Sequence, residues 1–299
     1  MKNVIDELGN EQKYKGGYTG EMFKYLKKKL KNFDEFLFVM YSTNGSKTPT
    51  PLLKQIKHSK KVLIWHSSEN KRNNINEIKN DYSHIFSNYY WNTKNTTSIP
   101  LGYFTESINS EIIPMSERLY NISFIGCLNR NRLVLASELS GIRKFWLSMG
   151  LSFYKNKTLK ILNKILQWKW NRDLFQFNED FNKGMDSELY QYFLQHSKIA
   201  LCPRGWTNSE TFRLYEAMKY GCVVITEELP DREYYKNIPV IKVENWSDGI
   251  KIARNLLKNP KKLEQMGLNN KKFYEEFLSP RATAEIIIKK LKVLVGNTK

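Results

Sequence analysis

The sequence predicts an α/β protein with parallel strands, and three observations support that fold class. Short apolar runs alternate with longer polar segments of helical character along the 299 residues. One stretch, residues 197–225, reads as strand, loop, helix, turn and strand, which is one βαβ unit with a right-handed connection. The apolar fraction of 41% and the charged fraction of 26% are ordinary for a globular protein, so a packed core is expected.

The N-terminal part of the chain predicts one helix and four strands. The helix covers residues 20–30 and includes the cluster Lys27-Lys28-Lys29. The expected strands are the apolar runs 35–41, 61–67, 84–89 and 98–103. Residues 105–117 are polar and contain Pro114, so we expect a linker between two domains there.

A second set of α/β elements follows this linker. The expected strands are residues 121–126, 198–202, 222–225 and 240–243. The expected helices are residues 132–139, 210–220, 247–257, 260–277 and 280–294. Ser209 is the expected N-cap of the second of these helices, and Gly221 ends it because glycine readily adopts positive φ. The predicted domains are therefore residues 1–113 and 114–279, with a terminal helix at 280–299.

The loop after residues 198–202 is the candidate ligand site. In open parallel sheets, ligands bind outside the carboxyl ends of the strands, and the following helix directs free N–H groups toward them. Arg204 and Arg213 add cations with a geometry suited to phosphate oxygens. Glu216 supplies a carboxylate that can accept hydrogen bonds from the paired hydroxyls of a ribose. A phosphate-bearing nucleotide is the predicted ligand; alternatively, Arg213 and Glu216 only pair with each other at i, i+3.

The segment Cys202 to Ile225 resembles the signature of the exostosin-like glycosyltransferases, a GT-B family that uses nucleotide sugars. The shared pattern is Cys-Pro-x-Gly, then Ser-x-Arg-Leu-x-Glu-Ala, then Gly-Cys-x-Pro-Val-Ile, with Val224 in place of the proline. Further segments that resemble the family are His66-Ser67-Ser68-Glu69, Asn88-Tyr89-Tyr90, 99–103, Phe124-Ile125-Gly126, Arg130, Arg132, Phe181-Asn182-Lys183-Gly184 and Tyr190. Ser68 replaces an expected Asp, and Asn208 stands where many retaining enzymes carry a second Glu, eight residues before Glu216.

The resemblance implies a GT-B fold, in which two Rossmann-like domains face a central cleft and the C-terminal helix crosses back to the first domain. It also implies transfer of a sugar from a nucleotide-sugar donor, UDP-linked in most of the family, to a hydroxyl of a glycan or lipid-linked glycan acceptor, with inversion. The donor is a co-substrate and no further cofactor is expected. The chain has no Asp-x-Asp motif, so metal-independent transfer is expected.

The resemblance also assigns roles to individual residues. The expected donor-binding residues, all between the first strand of the second domain and the signature helix, are Gly126, Arg130, Arg132, Arg204, Gly205, Ser209, Arg213 and Glu216. An inverting transfer needs one base near the acceptor hydroxyl. Glu69, just beyond the carboxyl end of the expected strand 61–67, is the first candidate for that base; His66 either replaces Glu69 or orients it.

The net charge of +18 predicts attraction to polyanions without selecting among them. A basic α/β protein that binds nucleic acid without catalysis is therefore the alternative function, although the sequence contains no recognised nucleic-acid module. Residues 151–172 are basic and aromatic; a helix there either packs on the core or rests peripherally on an anionic membrane.

The sequence also carries an expectation about location. Its start is polar, and no apolar run reaches the roughly eighteen residues of a membrane span. A cytoplasmic protein, or one at the cytoplasmic face of a membrane, is expected. Cys127, Cys202 and Cys222 are then expected to be buried free thiols in a reducing compartment, since their spacing offers no zinc pattern.

Overall fold

The computed structural model describes residues 3–6, 10–11, 16–42, 55–66, 78, 80–88, 94–103, 112–141, 156–180 and 184–296. The chain forms two compact units. The first consists of Met1–Ser107 and Phe277–Lys299, and the second of Ile108–Glu276. Each unit contains a five-stranded sheet in which all neighbouring strands run parallel, so the predicted α/β class is confirmed.

The sheet of the first unit follows the order of the chain. Its strands are β1 (Val4–Ile5), β2 (Leu37–Ser42), β3 (Lys61–His66), β4 (His84–Ser87) and β5 (Thr96–Ser98), and they lie side by side in that order. The expected strand at residues 98–103 is wrong, because β5 ends where it was to begin. Pro100 lacks a backbone N–H, and Gly102 has φ +70° with the Tyr18 ring against its Cα, so this segment leaves the sheet.

In the described part of the first unit, two helices pack on the sheet. They are α1 (Gly17–Lys29) and the C-terminal helix, which we number α8 (Pro280–Gly296). The hydroxyl of Tyr18 donates to the carbonyl of Leu278 at 2.6 Å and lies 2.5 Å from the hydroxyl of Thr283. Buried Ile287 and Leu291 of α8 join the core of this unit. The end of the chain therefore belongs to the first unit, as the GT-B resemblance implied.

The sheet of the second unit reverses direction. Its strands are β6 (Tyr120–Cys127), β7 (Leu174–Asn178), β8 (Ser197–Cys202), β9 (Val223–Thr226) and β10 (Ile241–Lys242). They lie in the order β10-β9-β8-β6-β7, so the chain passes from β6 to β7 on one side and returns across β6 to β8 on the other. The edge strand β7, in which half-buried and buried residues alternate, was not predicted from the sequence.

Among the described residues of the second unit, six α-helices accompany the sheet. They are α2 (Leu133–Ser140), α3 (Asn156–Lys169), α4 (Ser187–Gln195), α5 (Phe212–Lys219), α6 (Trp246–Leu256) and α7 (Pro260–Phe273). A π-helical turn, Tyr274–Leu278, follows α7. Met115 lies in the core of this unit and its backbone N–H donates to Glu264 at 2.9 Å, so the described end of the expected linker is part of the second unit. Gly221 has φ +66° just after α5, as predicted.

Two further expectations concern the burial of the cysteines and the lack of a membrane-spanning segment. Cys202 and Cys222 are buried free thiols, whereas Cys127 is partly exposed, so its expected burial is wrong. Cys127 is the last residue of β6, and the residues at both ends of this strand are less buried than those in its middle. Among the described residues, no helix combines the length and the apolar character that a membrane span requires.

Candidate functional site

Three neighbouring strands of the second sheet end at one edge, and the loops that follow them form the candidate site. These loops are residues 128–132 after β6, residues 203–211 after β8 and residues 227–232 after β9. The chain changes direction between β6 and β8, and at such a reversal the two loops diverge and leave a crevice for a ligand. This crevice coincides with the loops on which the sequence analysis placed the predicted donor-binding residues.

Arg213 is the central side chain of this site. Only 7% of its surface is exposed, and its Nε and Nη2 both donate to the carbonyl of Ile125 at the end of β6. The guanidinium lies over the ring of Phe124, 4.4 Å from the ring centroid. Its third nitrogen, Nη1, is buried and has no hydrogen-bond partner among the described residues. An unpaired buried N–H is costly, so this nitrogen is a donor that an anion would satisfy.

Gly126 makes room for that guanidinium. A Cβ at this position would overlap Nη2 of Arg213 and lie 3.5 Å from Nη1 of Arg132. The glycine is therefore needed for the close approach of an arginine side chain to the strand. The sequence analysis predicted Gly126 as a donor-binding residue, and the structure shows this specific steric reason for a glycine there.

Arg132 ties two of the loops together. Its Nη1 donates to the carbonyl of Cys127 at 2.8 Å, and its Nε donates to the carbonyl of Arg204 at 3.1 Å. The adjacent Asn131 donates its amide to the carbonyl of Gly205 at 2.6 Å and to that of Trp206 at 3.1 Å. The loop after β8 is thus held in place by the loop after β6 before any ligand arrives.

The two other predicted arginines are exposed. Arg204 donates its Nη2 to the carbonyl of Thr207 at 3.0 Å, and its backbone N–H donates to Glu227 at 2.6 Å. Arg130 opens the short helical turn Arg130–Arg132 and is exposed as well. The ring of Trp206, 65% exposed, lies on the same loop as Arg204 and was not singled out from the sequence.

The expected N-cap at Ser209 is wrong. Its hydroxyl donates to the carbonyl of Glu228, and α5 begins three residues later at Phe212 with Thr211 as its N-cap. The chain first makes a bend in which Asn208 accepts from the N–H of Glu210 at 2.9 Å. The hydroxyl oxygen of Thr211 is buried and lacks a partner among the described residues. The signal was in the family pattern, since Thr211 takes the place of Ser in Ser-x-Arg.

Glu216 lies one turn beyond Arg213 on α5 and is 4% exposed. Its carboxylate forms a hydrogen bond with the hydroxyl of Tyr190 on α4. Burial of that hydroxyl and the charge of Glu216 hold the pKa of Tyr190 well above its usual value, while the charge of Arg213 lowers it. The structure thus brings Arg213, Glu216 and Tyr190 together. Burial also raises the pKa of the neighbouring Cys202 to about 12, which keeps it a neutral thiol.

A second buried carboxylate, Glu210, anchors the loop after β8. It accepts hydrogen bonds from the hydroxyls of Tyr215 at 2.7 Å, Tyr235 at 2.8 Å and Tyr234 at 3.3 Å. Burial raises its pKa, and the three hydroxyls partly offset that rise. Three hydroxyls on one carboxylate rigidify the start of α5. The sequence analysis missed this cluster, because Glu210 and the tyrosine pair are far apart in the chain.

In the first unit, the described candidate residue is His66, the last residue of β3. Burial lowers its pKa to about 4, and a hydrogen bond to the backbone of Leu101 partly offsets this effect. That hydrogen bond favours the protonated ring, so the imidazole donates to the carbonyl. Nε2 is buried without a partner among the described residues. His66 is therefore neutral at pH 7, with one nitrogen free to accept a proton. Glu69 lies outside the described residues.

Within the described part of the chain, no group of three or more His, Cys, Asp or Glu side chains is arranged to hold a metal ion. Metal independence stays a prediction.

Comparison with known families and structures places these features in context. Residues 132–277 match the family model described as the RXYLT1 C-terminal domain. This segment is therefore similar to that family. The match covers slightly less than half of the chain and contains Arg132, Arg213 and Glu216, whereas Gly126 and Arg130 precede it. The resemblance to exostosin-like glycosyltransferases is thereby confirmed. The comparison with curated proteins gives no match.

Solved structures share the fold at low sequence identity. TarM superimposes with a TM-score of 0.54 at 14% identity, over 92% of this chain and 57% of TarM. Sucrose-phosphate synthase from Thermosynechococcus elongatus gives 0.53 at 12% identity, over 94% of this chain and 78% of that one. Alr3699/HepE from Anabaena, in complex with UDP, gives 0.51 at 12% identity, over 90% and 82%. The chain has the GT-B fold and is glycosyltransferase-like by fold and family. It spans less than two thirds of TarM.

Proposed function

We propose that this protein is an inverting glycosyltransferase that transfers a sugar from a UDP-sugar to a hydroxyl of a glycan acceptor. One observation carries the proposal: at the topological reversal of the second sheet, the buried guanidinium nitrogen Nη1 of Arg213 has no partner among the described residues. A diphosphate supplies what this donor lacks. Inversion and the uridine base rest on the family resemblance.

The donor diphosphate is proposed to lie at the start of α5. There Nη1 of Arg213 and the hydroxyl of Thr211 are both buried and without a partner among the described residues. The first N–H groups of any helix also lack intrahelical acceptors, and the helix dipole favours a negative charge beside them. These groups stabilise the charge that develops on the departing UDP, which is how preorganised donors accelerate such a step.

Glu216 is proposed to bind the ribose. Its carboxylate is buried and already accepts from the Tyr190 hydroxyl, which fixes its orientation. Carboxylate oxygens only accept hydrogen bonds, which suits them to the paired hydroxyls of a ribose. Gly126 and Arg132 act indirectly in this proposal. Gly126 lets Arg213 reach the strand, and Arg132 holds the loop after β8.

His66 is proposed as the general base. In the reaction, Nε2 of His66 takes the proton of the acceptor hydroxyl while that oxygen bonds to the anomeric carbon of the sugar. The bond from the anomeric carbon to the UDP oxygen breaks, and UDP leaves with the electron pair. The low pKa of His66 keeps this nitrogen unprotonated at neutral pH. Glu69 remains the base predicted from the sequence and is the competing assignment.

Two structures of Alr3699/HepE support a UDP-linked donor, since their crystals contain UDP and UDP-glucose respectively. Their TM-scores to this chain are 0.51 and 0.50. This support is by fold only, because the identities are 12% and 11%.

The test is nucleotide binding measured by calorimetry and thermal unfolding at moderate salt. UDP at 100 times its dissociation constant adds about 2.7 kcal/mol to the free energy of unfolding. Arg213→Gln is expected to weaken UDP binding about 10-fold or more, the value of a charge-assisted hydrogen bond. Arg172→Gln is the matched control, because Arg172 is an exposed arginine of the same unit outside the site.

Two results would overturn the proposal. The first is the absence of any stabilisation by UDP, other nucleotides or nucleotide sugars. The second is equal UDP binding by Arg213→Gln and wild type. If, in addition, the protein binds generic DNA with a steep dependence on salt, the nucleic-acid alternative takes its place.

A further inference from the structure

Helix α3 (Asn156–Lys169) is apolar on its buried face and carries both apolar and basic side chains on its exposed face. On the buried face, Leu159, Leu162 and Leu166 pack into the core of the second unit, with at most 5% of each exposed. Core packing, one of the two expectations for this basic segment, is therefore confirmed. It leaves the opposite face of the helix to solvent.

The exposed face carries large apolar side chains. Trp168 is 89% exposed, and Ile161 is 60% exposed. They lie seven residues apart, about two helical turns, and so point to the same side. Half-buried Ile165 stands between them at i+4 and i−3, which makes a continuous apolar stripe. Burying a tryptophan that is almost wholly in water would release substantial free energy.

Two lysines flank this stripe. Lys160 and Lys164 are exposed, and Lys164 is one turn from both Ile161 and Trp168. Neither lysine has an ion pair or hydrogen bond within the described part of the chain, whereas Lys169 donates to the carbonyl of Leu139 at 3.1 Å. The helix contains no Asp or Glu. The face thus combines apolar surface with uncompensated positive charge.

We propose that this face of α3 docks on an anionic lipid bilayer. Trp168 and Ile161 enter the boundary between headgroups and acyl chains, where tryptophan is favoured. Lys160 and Lys164 lie on the headgroup phosphates, and the net charge of +18 adds attraction at long range. The charge favours this partner over a neutral protein surface, and the apolar stripe favours it over a nucleic acid, which would leave Ile161 in water. The proposal is independent of the nucleotide site.

The test uses the full chain and flotation with vesicles of phosphatidylcholine alone or mixed with phosphatidylserine. Wild type is expected to bind the mixed vesicles at least tenfold more than phosphatidylcholine. The double substitution Lys160→Gln with Lys164→Gln should reduce binding roughly 30-fold, since each lysine at an anionic surface contributes a factor of about five. Trp168→Ser should reduce binding at least tenfold. Leu268→Ser is the matched control, because Leu268 is 46% exposed in the same unit but belongs to α7, which packs against α5, α6 and β9.

Insertion of Trp168 into the bilayer is measured separately from binding of the protein to the vesicle surface. Brominated lipids should quench the fluorescence of wild type, and Trp168→Phe should still bind while losing most of that quenching. Unchanged melting temperature and UDP binding in each variant show that the fold is intact.

Four outcomes overturn the proposal. The first two are equal binding of Trp168→Ser and wild type, and equal binding to neutral and anionic vesicles. The third is a loss of self-association in Trp168→Ser, which identifies a second copy of the chain as the occupant. The fourth is binding of α3 to DNA in place of vesicles, abolished by the lysine substitutions but not by Trp168→Ser. Each of these leaves the nucleotide-binding measurement unaffected, so the two proposals fail separately.

Discussion

The two sheets of this protein share one architecture but end in different chemistry. Each has five parallel strands, yet the first follows chain order while the second reverses between β6 and β8. At the reversal lies the buried guanidinium of Arg213, whose Nη1 has no partner among the described residues. At the end of β3 in the first sheet lies the neutral imidazole of His66, whose Nε2 has no partner in that part of the chain either. The first group can donate a hydrogen bond and the second can accept a proton, so two sheets of one architecture present opposite chemistry.

The largest expected effect tests His66 of the first sheet as the general base. His66→Ala should lower kcat by about 10²–10⁴-fold, the usual contribution of a general base, and leave UDP affinity unchanged because UDP binding is assigned to the second unit. Steady-state kinetics with a UDP-sugar and its acceptor, beside calorimetry with UDP, provide the measurement. A parallel Glu69→Gln variant decides between the two candidate bases. Should only Glu69→Gln lose kcat, His66 is not the base.

Acidification should destabilise the first unit through its two buried histidines. Burial lowers the pKa of both His66 and His84 to about 4, below the ordinary value of about 6.5. Between those values the unfolded chain binds protons that the folded chain does not, so stability falls as pH falls from 6.5 to 4. Each histidine contributes about 3 kcal/mol to that loss.

Denaturant unfolding measured across this pH window checks the sign and the size. The double variant His66→Asn with His84→Asn should flatten the dependence of stability on pH. A profile as steep as that of wild type would mean that other groups control the acid response.

Gly126→Ala tests whether the position of the Arg213 guanidinium controls UDP binding in the second unit. The added methyl overlaps Nη2 of Arg213 and moves the guanidinium off the carbonyl of Ile125, so UDP binding should weaken about 10- to 100-fold. A double-mutant cycle provides the control. In an Arg213→Ala background, Gly126→Ala should weaken UDP binding little further, because both substitutions act on the same contact. Additive losses, measured by calorimetry, would place the role of Gly126 elsewhere.

The smallest expected effect concerns Glu216. Glu216→Gln keeps the size of the side chain but weakens its hydrogen bonds to ribose hydroxyls, so UDP affinity should fall about three- to tenfold. UMP should lose as much as UDP, whereas a diphosphate without a nucleoside should lose nothing. Calorimetry with the three ligands makes the comparison. An equal loss for the bare diphosphate would indicate that Glu216 acts through Arg213.

Local signals in the chain were sufficient to predict several features of the second unit. The βαβ unit, the turn at Gly221 and the placement of Arg213 and Glu216 on one helix follow from short-range periodicity and from glycine stereochemistry, and the family resemblance extended them. These features depend on neighbours in sequence, so they can be predicted from it.

Other features depend on neighbours in space. The sequence placed the helix cap at Ser209, but the hydroxyl of that residue is taken by the carbonyl of Glu228, and Thr211 became the cap. The edge strand Leu174–Asn178 was missed because its apolar alternation is short, and only its pairing with β6 defines it.

The sequence by itself determined the class of the fold, the family and which helix carries the arginine and the carboxylate. Only the tertiary structure decided that Nη1 of Arg213 has no partner among the described residues, that His66 is neutral, and that Trp168 faces water. The physical reason is that hydrogen-bond satisfaction, desolvation and exposure are set by atoms that residues distant in the chain bring together.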